Sequence, residues 1–420
     1  MACPVTMAVI GAGERGCGYA YYSILEPEKL KIVAVADPDD FRRNKLADAH
    51  GIPEEMRFRS WQEFAAREKM CDAVAVCTQD AMHEAPAVAC AERGYDILLE
   101  KPMAPTAEAC RHIVDAVNKA GVIFAVCHVL RYTNYTLAIR KILESGEIGD
   151  IVNIQHLEPL GYWHQAHSYV RGNWRREADS SSMLLAKGCH DLDWIRSLMG
   201  RKCVQVHSFG TLRHFRKSEK PAGAGSRCTD CPKEIESCCP YSACKIYFRD
   251  RFCKGKRDWP VEVLVQNVTG EALAKALTEG PYGRCVYACD NDVVDNQVVN
   301  LLFEDGATAS FTMTAFNFHA ARKTRIFGTL GEIETDSEIC EVRHFLDEST
   351  RIVNTETFND GSILSGHGGG DMGIIAAFTR AVAERDPSRI LSGPEETLES
   401  HLMVFAAEES RKRNKVVSLP

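Results

Sequence analysis

Two basic side chains in this sequence have the type and setting that proton transfer at a hydroxyl group needs. Lys101 lies between Glu100 and Pro102, directly after an apolar run, so we expect its ammonium in the crevice at the carboxyl end of a strand. There it could hold a substrate oxygen or exchange a proton. His190 lies in a G-x-H-x-x-D pattern that ends at Asp193, and imidazole is a natural base for a hydroxyl proton. The alternatives are a solvated surface lysine and a hydrogen-bonded core histidine.

A glycine-rich turn near the N-terminus predicts a dinucleotide site. The apolar run Val5–Ile10 ends in G-x-G-x-x-G, and a helix-like segment follows. Gly11 allows the tight turn, Gly13 leaves room for a pyrophosphate, and Gly16 lets helix and strand pack closely. A second apolar run stops on Asp37, where a carboxylate can accept ribose hydroxyls.

The residue at the end of this second run also bears on the choice of cofactor. A carboxylate at Asp37 repels a 2′-phosphate, which favours NAD over NADP. Arg42 and Arg43 follow closely and weaken that preference. We therefore expect NAD, with NADP as the less favoured cofactor.

A segment of residues 162–175 is dense in aromatic rings and hydrogen-bond donors. Aromatic faces suit the C–H faces of a sugar and donors suit its hydroxyls, although the same residues could serve domain packing. Three further groups are candidates. They are the polar residues after the last strand of the first half, the polar residues near His190, and a histidine in a glycine-rich segment. The predicted substrate contacts are His128, Arg131, Tyr132, Trp163, His164, His167, Arg171, Asn173, Trp174, Lys187, Asp191 and His367.

Six of the 18 cysteines lie between Cys228 and Cys253. Cys228 and Cys231 have the C-x-x-C spacing of a zinc knuckle, and Cys239 or Cys253 could complete a tetrahedral site. A second C-x-x-C is missing and no histidine lies within the cluster. Three interpretations of the cluster therefore remain: reduced thiols without metal, a structural zinc ion, or a disulfide.

Composition excludes several function classes. The chain has 420 residues, 45% hydrophobic and 26% charged, with a net charge of −8. It has no basic block for nucleic acid and no apolar run long enough to cross a bilayer. The chain enters its first strand by Val5, which leaves no room for a signal peptide. Scattered cysteines in core positions suit a reducing compartment, so we expect a cytoplasmic protein.

Alternating strand and helix patterns predict how these residues are positioned. In the first part, five apolar runs end at Ile10, Ala36, Cys77, Leu99 and Val126. Helix-like stretches between them predict a doubly wound parallel sheet, an α/β Rossmann domain over residues 1–130.

The second part, residues 131–420, has a different pattern. A strand at 151–160, a helix at 182–199 and a hairpin around Asp305-Gly306 predict an α+β domain with an open, mostly antiparallel sheet. The sequence pattern indicates that the cysteine-rich segment, about 215–260, is an insertion. One exposed sheet face favours a homo-oligomer, a dimer or tetramer.

Taken together, the motifs resemble those of the Gfo/Idh/MocA oxidoreductases over residues 1 to about 200. The resemblance implies a nicotinamide-binding Rossmann domain, a C-terminal α/β domain facing the cofactor, and catalytic roles for Lys101 and His190. Many members have an aspartate four residues before the catalytic histidine, whereas this chain has Ala186. The expected cofactor contacts are Gly11, Gly13, Glu14, Arg15, Gly16, Asp37, Thr78, His83, Glu100 and Lys101.

These observations predict an NAD-dependent oxidoreductase that oxidises a secondary hydroxyl of a sugar, cyclitol or glycoside. His190 would accept the hydroxyl proton and Lys101 would polarise the reacting oxygen. The alternative is a glycoside-cleaving enzyme that oxidises the sugar transiently and recycles bound NAD, with His164, His167 or His367 as the extra base. A non-catalytic NAD-binding protein is a third possibility, and only Ala186 favours it.

Overall fold

The computed structural model describes residues 3–318, 321–355 and 367–419. A first sheet has six parallel strands in the order β3-β2-β1-β4-β5-β6. Its strands are β1 Val5–Ile10, β2 Leu30–Ala36, β3 Arg57–Phe58, β4 Ala73–Val76, β5 Asp96–Leu99 and β6 Phe124–Val126. The helices of this region are α1 Glu14–Leu25, α2 Asp40–His50, α3 Trp61–Ala65, α4 Glu84–Glu92, α5 Ala107–Ala120 and α6 Asn134–Glu144.

The parallel sheet confirms the predicted Rossmann class and adds one strand to it. Strand β3 has only two residues, too few to produce an apolar run in the sequence. The buried strands are nearly all apolar, as expected for a sheet covered on both faces. Helix α11 (Gly370–Glu384), far along the chain, supplies Ile374, Ile375 and Phe378 to the core on one of these faces.

The second sheet has nine strands in the order β14-β13-β12-β11-β7-β10-β9-β8-β15, antiparallel except for the pair of β7 and β10. Its strands are β7 Ile151–Gly161, β8 Cys203–Thr211, β9 Asn296–Phe303, β10 Thr308–Asn317, β11 Lys323–Gly328, β12 Gly331–Thr335, β13 Ile339–His344, β14 Thr350–Asn354 and β15 Val417–Ser418. The further helices are α7 Tyr162–His164, α8 Cys189–Met199, α9 Lys233–Glu236, α10 Gly270–Glu279 and α12 Pro394–Arg413.

This arrangement confirms the mostly antiparallel second sheet and its hairpin. The turn between β9 and β10 places Gly306 at φ +91°, a conformation that glycine adopts without a steric penalty. The predicted helix at 182–199 is irregular, because a π-helical turn, Leu184–Gly188, precedes α8. No helix in the described part of the chain is long and apolar enough to cross a membrane.

The cysteine-rich segment has a hydrophobic core of its own. Phe215, Tyr241, Tyr247, Leu273 and Tyr287 are buried together in it. This core therefore continues through α10, beyond the residues 215–260 that the sequence pattern indicates.

Candidate active site

The glycine turn between β1 and α1 has the geometry that a dinucleotide needs. Gly11 has φ +97° and lies so close to Cys77 that an added Cβ would meet the Cys77 carbonyl oxygen at 2.5 Å. A Cβ on Gly16 would meet the Gly11 carbonyl oxygen at 2.1 Å, whereas one on Gly13 would meet nothing within 4 Å. Gly13 is also the N-cap of α1 and has no side chain to cap it. The turn thus leaves open space at the helix N-terminus, where a pyrophosphate fits.

Asp37 lies at the end of β2 with its carboxylate facing this turn. Its Oδ2 accepts a hydrogen bond from the Ala12 backbone N–H at 2.7 Å. Arg43 is buried, where it donates to the Asp37 carbonyl oxygen and pairs with Asp40. Arg42 is exposed. The second of the two arginines is therefore occupied by protein groups.

Arg15 and Glu100 belong to one hydrogen-bonded network, in which Glu100 is buried and the Arg15 side chain is 36% exposed. The Arg15 Nε donates to Glu100 Oε1 at 2.7 Å, and Tyr19 donates to the same oxygen at 2.8 Å. Burial alone would raise the pKa of Glu100, but the Arg15 guanidinium and the Lys101 ammonium hold it below its usual range. Arg15 also pairs with Asp371 at the start of α11. The network joins the glycine turn to the end of β5, and direct cofactor contact by either side chain stays a prediction.

His83 and Thr78 order the loop that follows β4. The fully buried His83 ring has Nδ1 at 2.8 Å from the Pro102 carbonyl oxygen and Nε2 at 3.0 Å from that of Thr78. The Thr78 hydroxyl donates to the Met82 carbonyl oxygen at 3.1 Å. His83 thereby fixes the loop after β4 against the segment that contains Lys101.

Lys101 lies against the helical turn that leads to His190. The Lys101 Nζ donates to the backbone carbonyl oxygen of Ala186 at 3.0 Å, one helical turn before His190. The His190 ring packs edge-on against His128, with 5.8 Å between centroids. Burial lowers the pKa of His128 to about 3, and the Lys101 ammonium contributes to that shift. Lys101 therefore lies in the electrostatic neighbourhood of the His128 imidazole, which contacts His190.

A buried cluster of charges lies under α8. Asp191 accepts from Arg322 Nε at 2.6 Å and lies 3.0 Å from His156 Nε2. Although burial would raise the pKa of Asp191, Arg322 and His156 hold it well below its usual range. Lys187 pairs with Glu158 at 3.3 Å, and Arg322 pairs with the same carboxylate at 2.8 Å. Lys187 and Asp191, two of the predicted substrate contacts, therefore lie in one cluster. Their charged groups are bound by Glu158, Arg322 and His156.

Sequence reasoning missed three members of this cluster: His156, Glu158 and Arg322. His156 and Glu158 are two residues apart on β7, so they lie on the same buried face. Polar residues at alternate positions between the apolar Ile154 and Leu160 were the signal that could have revealed them. Arg322 had no such signal, because it lies outside the regular strands.

Arg131 and Tyr132, both predicted substrate contacts, are used in packing. The Arg131 guanidinium donates to both carboxylate oxygens of Asp193, at 2.7 and 2.8 Å, and neither residue is exposed. The Tyr132 hydroxyl lies 3.0 Å from Ser392 Oγ and accepts from the Leu391 N–H. These contacts fix the segment before α12, and nothing in this placement favours substrate contact.

Aromatic side chains from two parts of the chain meet beside the crevice. Trp259 of the cysteine-rich segment packs against the rings of Trp163, His164 and His167, with centroid distances of 5.2, 4.9 and 5.4 Å. His167 is buried, stacks on Tyr282 at 4.9 Å, and has its pKa lowered by burial to about 3. Trp163 and His164 are half-buried, so part of each side chain remains accessible.

The remaining predicted contacts lie in different places. Trp174 Nε1 donates to Asp80 Oδ2 at 3.3 Å, Asn173 is exposed, and Arg171 is buried among cysteines. Only the backbone of His367 is described, at the start of the turn that leads into α11. Its side chain lies outside the described residues, so its predicted role stays a prediction.

A strap, residues 258–266, extends from the cysteine-rich segment to the glycine turn. Trp259 begins it among the rings described above, and Gln266 Nε2 donates to Asp39 Oδ2 at 3.4 Å near its end. Between them, Glu262 is close enough to Glu14 to add to the rise in the pKa of Glu14 that burial causes. The strap therefore passes over the edge of the sheet where the adenosine half of a dinucleotide is expected.

The fold and this site define an oxidoreductase with a dinucleotide-binding Rossmann region and a C-terminal α/β region. Two family models match: "oxidoreductase family, NAD-binding Rossmann fold" over residues 5–128, and "oxidoreductase family, C-terminal alpha/beta domain" over residues 140–419. The chain belongs to the Gfo/Idh/MocA family of oxidoreductases, which confirms the resemblance found in the sequence.

Individual relatives are more distant. The chain is 28% identical to inositol 2-dehydrogenase 2 of Saccharopolyspora erythraea over 201 residues, 48% of this chain and 55% of that protein. It is 26% identical to 2,7-anhydro-N-acetylneuraminate hydratase of Escherichia coli over 198 residues, 47% of this chain and 50% of that protein. The chain spans about half the length of these first curated relatives. A levoglucosan dehydrogenase solved with NADH and levoglucosan shares the fold, with a TM-score of 0.71, 18% identity and coverage of 99% and 100% of the two chains.

Proposed function

We propose that this protein oxidises a secondary hydroxyl of a sugar, cyclitol or glycoside, with Lys101 and His190 as catalytic residues. One observation supports it above the others. The Lys101 ammonium, from the first sheet, binds the Ala186 carbonyl on the helical turn that leads to His190. This contact brings the amine from the first sheet to the turn before the helix that contains His190, which supports a shared site for the two groups at the carboxyl edge of the parallel sheet.

The residues divide the chemistry between them. NAD, when bound, supplies the hydride acceptor. His190 takes the proton of the substrate hydroxyl, and Lys101 donates a hydrogen bond that stabilises negative charge developing on that oxygen. His128 has a pKa of about 3 because it is buried, so the ring against His190 is neutral and adds no second positive charge.

Lys101 is held by the main chain of this helical turn. Its ammonium donates to the backbone carbonyl oxygen of Ala186 at 3.0 Å, and this carbonyl does not depend on which side chain residue 186 has. Alanine at this position supplies no carboxylate for His190, where many family members have an aspartate.

Recognition of a sugar-like substrate rests on Trp163 and His164. Both are half-buried beside the crevice, and Trp259 holds their rings in place. A flat aromatic surface next to hydrogen-bond donors suits a ring that has C–H faces and hydroxyl edges. The relatives named for inositol and the structure named for levoglucosan agree with this substrate class.

NAD rather than NADP is the proposed cofactor. The Asp37 carboxylate at the end of β2 repels a 2′-phosphate, and Arg43 is already bound to Asp37 and Asp40. Of the two nearby arginines, only the exposed Arg42 is available to a phosphate. We expect reduction of NAD to be faster than that of NADP at equal concentration.

A panel of sugars, inositols and glycosides tests this function with absorbance at the NADH band. Wild-type protein should reduce NAD with at least one member, and Lys101→Ala and His190→Ala should lose turnover while still binding NAD. Lys119→Ala and His112→Ala, exposed residues of α5, are the matched controls and should keep full activity. Turnover unchanged in both active-site variants would refute the proposal and favour a non-catalytic NAD-binding protein.

The second candidate function is cleavage of a glycoside with a recycled cofactor, and the strap of residues 258–266 favours it. A segment that covers the adenosine side of the cofactor would slow NAD exchange, which suits an enzyme that returns the hydride in each cycle. His164 is half-buried beside the crevice and could act as the extra base, whereas His167 is enclosed by Tyr247 and Tyr282. Release of an aglycone from a glycoside without NADH accumulation would favour this candidate over net oxidation.

We also propose that the chain forms a homo-oligomer through the outer face of the second sheet. Phe209, Val298 and Phe316 on this face are 40–53% exposed, and Phe209 pairs directly with Val298 across β8 and β9. An apolar sheet face of this kind is typical of a subunit interface. Light scattering after size exclusion should give a dimer or tetramer, and Phe209→Lys should shift it toward monomer.

A further inference from the structure

Four cysteines of the cysteine-rich segment line one small cavity: Cys228, Cys231, Cys239 and Cys285. The cavity is small, with a volume of about 30 Å³. Cys228 is buried and the other three are half-buried. Cys285 lies far from the others in the sequence and was not among the metal ligands that the sequence suggested.

The backbone holds Cys228 and Cys285 diagonally across a short pairing of two segments. Arg227 and Arg284 form an isolated antiparallel bridge. On either side of it, the Cys228 N–H donates to the Gly283 carbonyl at 2.9 Å, and the Cys285 N–H donates to the Ser226 carbonyl at 2.9 Å. The backbone positions of these two cysteines are thus fixed by main-chain hydrogen bonds, as a diagonal pair.

A buried cation lies against the same cavity. Arg171 is 1% exposed and lines it. Its Nε donates to the Arg284 carbonyl at 2.7 Å, and its Nη2 donates to the Tyr241 carbonyl at 2.8 Å and approaches Cys228 Sγ at 3.5 Å. Its Nη1 has no hydrogen-bond partner among the residues that the structure describes.

The charge of this guanidinium is not balanced by a carboxylate. Glu236 also lines the cavity, but its carboxylate pairs with Arg249 at 2.7 Å. A guanidinium stays protonated in a protein, and burying a charge without a counter-charge is costly. Neutral thiols cannot provide that counter-charge. Thiolates of the cysteines that line the cavity would supply it.

We propose that Cys228, Cys231, Cys239 and Cys285 bind one zinc ion as thiolates. Zinc with four thiolates has a net charge of −2, and Arg171 offsets part of it. The Arg171 guanidinium and the Ala243 N–H, at 3.3 Å from Cys228 Sγ, are positioned to donate to a thiolate ligand.

Binding would require a local rearrangement of the thiols. Within the described residues no three histidine, cysteine, aspartate or glutamate side chains are close enough to hold a metal. The ligands must therefore turn inward about χ1 while the backbone stays in place. On binding, the ion exchanges water for four sulfur ligands, and the thiols release their protons to solvent. No oxidation or reduction is involved.

The expected role of this ion is structural. Four protein ligands leave no position for substrate. The site joins the C-x-x-C loop to the segment before β9, and Tyr282, three residues before Cys285, stacks on His167 at 4.9 Å. A zinc ion here would therefore hold the aromatic surface beside the candidate active site.

Metal analysis of the purified full-length protein tests the proposal. We expect about one zinc per chain after dialysis, and loss of most of it in Cys228→Ser, Cys231→Ser, Cys239→Ser and Cys285→Ser. Cys238→Ser and Cys253→Ser change exposed cysteines of the same segment and should retain it. Cys238 is adjacent to the proposed ligand Cys239, which makes it the sharpest control.

Cobalt substitution of the wild-type protein avoids dependence on variants that fail to fold. Tetrahedral thiolate ligation should give strong visible bands and sulfur-to-cobalt charge transfer, and a chelator should expose four additional reactive thiols. Absence of zinc together with absence of these bands would overturn the proposal. So would bound iron, a disulfide between these cysteines, or zinc loss from Cys238→Ser with retention in Cys239→Ser.

Discussion

Three glycines lie at the start of α1. Replacing each with alanine separates an effect on cofactor binding from an effect on helix packing. At Gly16 the new methyl group would lie 2.1 Å from the Gly11 carbonyl oxygen and 3.0 Å from Val9 Cγ1. At Gly13 and Gly18 it would meet nothing within 4 Å. The three sites share a helix and differ only in what surrounds them.

The expected stability changes follow from these distances. A contact of 2.1 Å forces α1 away from β1, and overpacking of this kind costs about 1–3 kcal/mol. Gly18 is exposed within the helix, so alanine there should stabilise by about 0.5–1 kcal/mol. Gly13 is the N-cap, where alanine is a poorer residue than glycine and costs up to about 1 kcal/mol.

Cofactor affinity should follow a different order. The methyl group of Gly13→Ala enters the open space at the helix N-terminus where the pyrophosphate is expected. We predict at least about tenfold weaker NAD binding, equivalent to about 1.4 kcal/mol. Gly16→Ala should weaken both stability and binding, because it displaces the same helix. Gly18→Ala should leave the affinity unchanged.

Thermal unfolding and calorimetric titration with NAD measure the two quantities on the same samples. The informative variant is Gly13→Ala, since it should lose affinity with little loss of stability. Wild-type NAD affinity in Gly13→Ala would refute the assignment of this turn as the cofactor site. Equal destabilisation by Gly16→Ala and Gly18→Ala would refute the packing argument.

Three further predictions concern packing, pH and the strap. Arg131→Met should lower the free energy of unfolding by about 3–5 kcal/mol, because it leaves the Asp193 charge buried without its guanidinium partner. Glu396 also pairs with Arg131 but is 54% exposed, so Glu396→Gln is the control; in urea unfolding, a loss for Arg131→Met no larger than that for Glu396→Gln would contradict this prediction. Burial lowers the pKa of His128 and His167 from 6.5 to about 3, so below pH 6.5 the unfolded chain binds more protons than the folded one. The free energy of unfolding should therefore fall by about 1.4 kcal/mol per histidine between about pH 7.5 and 5.5, and His167→Phe should reduce this slope. Trp259→Ala should speed NAD dissociation several-fold in stopped-flow fluorescence, and an unchanged rate would exclude the strap from cofactor retention.

Much of the fold followed from the sequence, because its elements have strong local signals. Buried parallel strands give continuous apolar runs, and the hairpin turn has Asp305-Gly306 at its tip. Strand β3 escaped notice because two residues cannot form a pattern. The π-helical turn before α8 also left no trace, since its residues have the same composition as a helix.

The candidate site was predictable in its motifs and less so in its contacts. Lys101 and the glycine turn lie at strand ends, whose position is set by the topology of a parallel sheet. By contrast, the buried pairing of Arg131 with Asp193 depends on how α8 packs against the first sheet. The place of Arg171 among the cysteines depends in the same way on long-range packing. Such pairings leave no periodic pattern in the sequence. A charged residue near a motif is therefore predicted to be a ligand when it is a packing contact.

A crystal structure of the protein with NAD and a substrate sugar would test the central claim most directly. The account predicts Lys101 Nζ and a ring nitrogen of His190 both within about 3 Å of one substrate hydroxyl, with the carbon of that hydroxyl facing the nicotinamide ring. Two groups that bind different oxygens, or that face away from the nicotinamide, would contradict it.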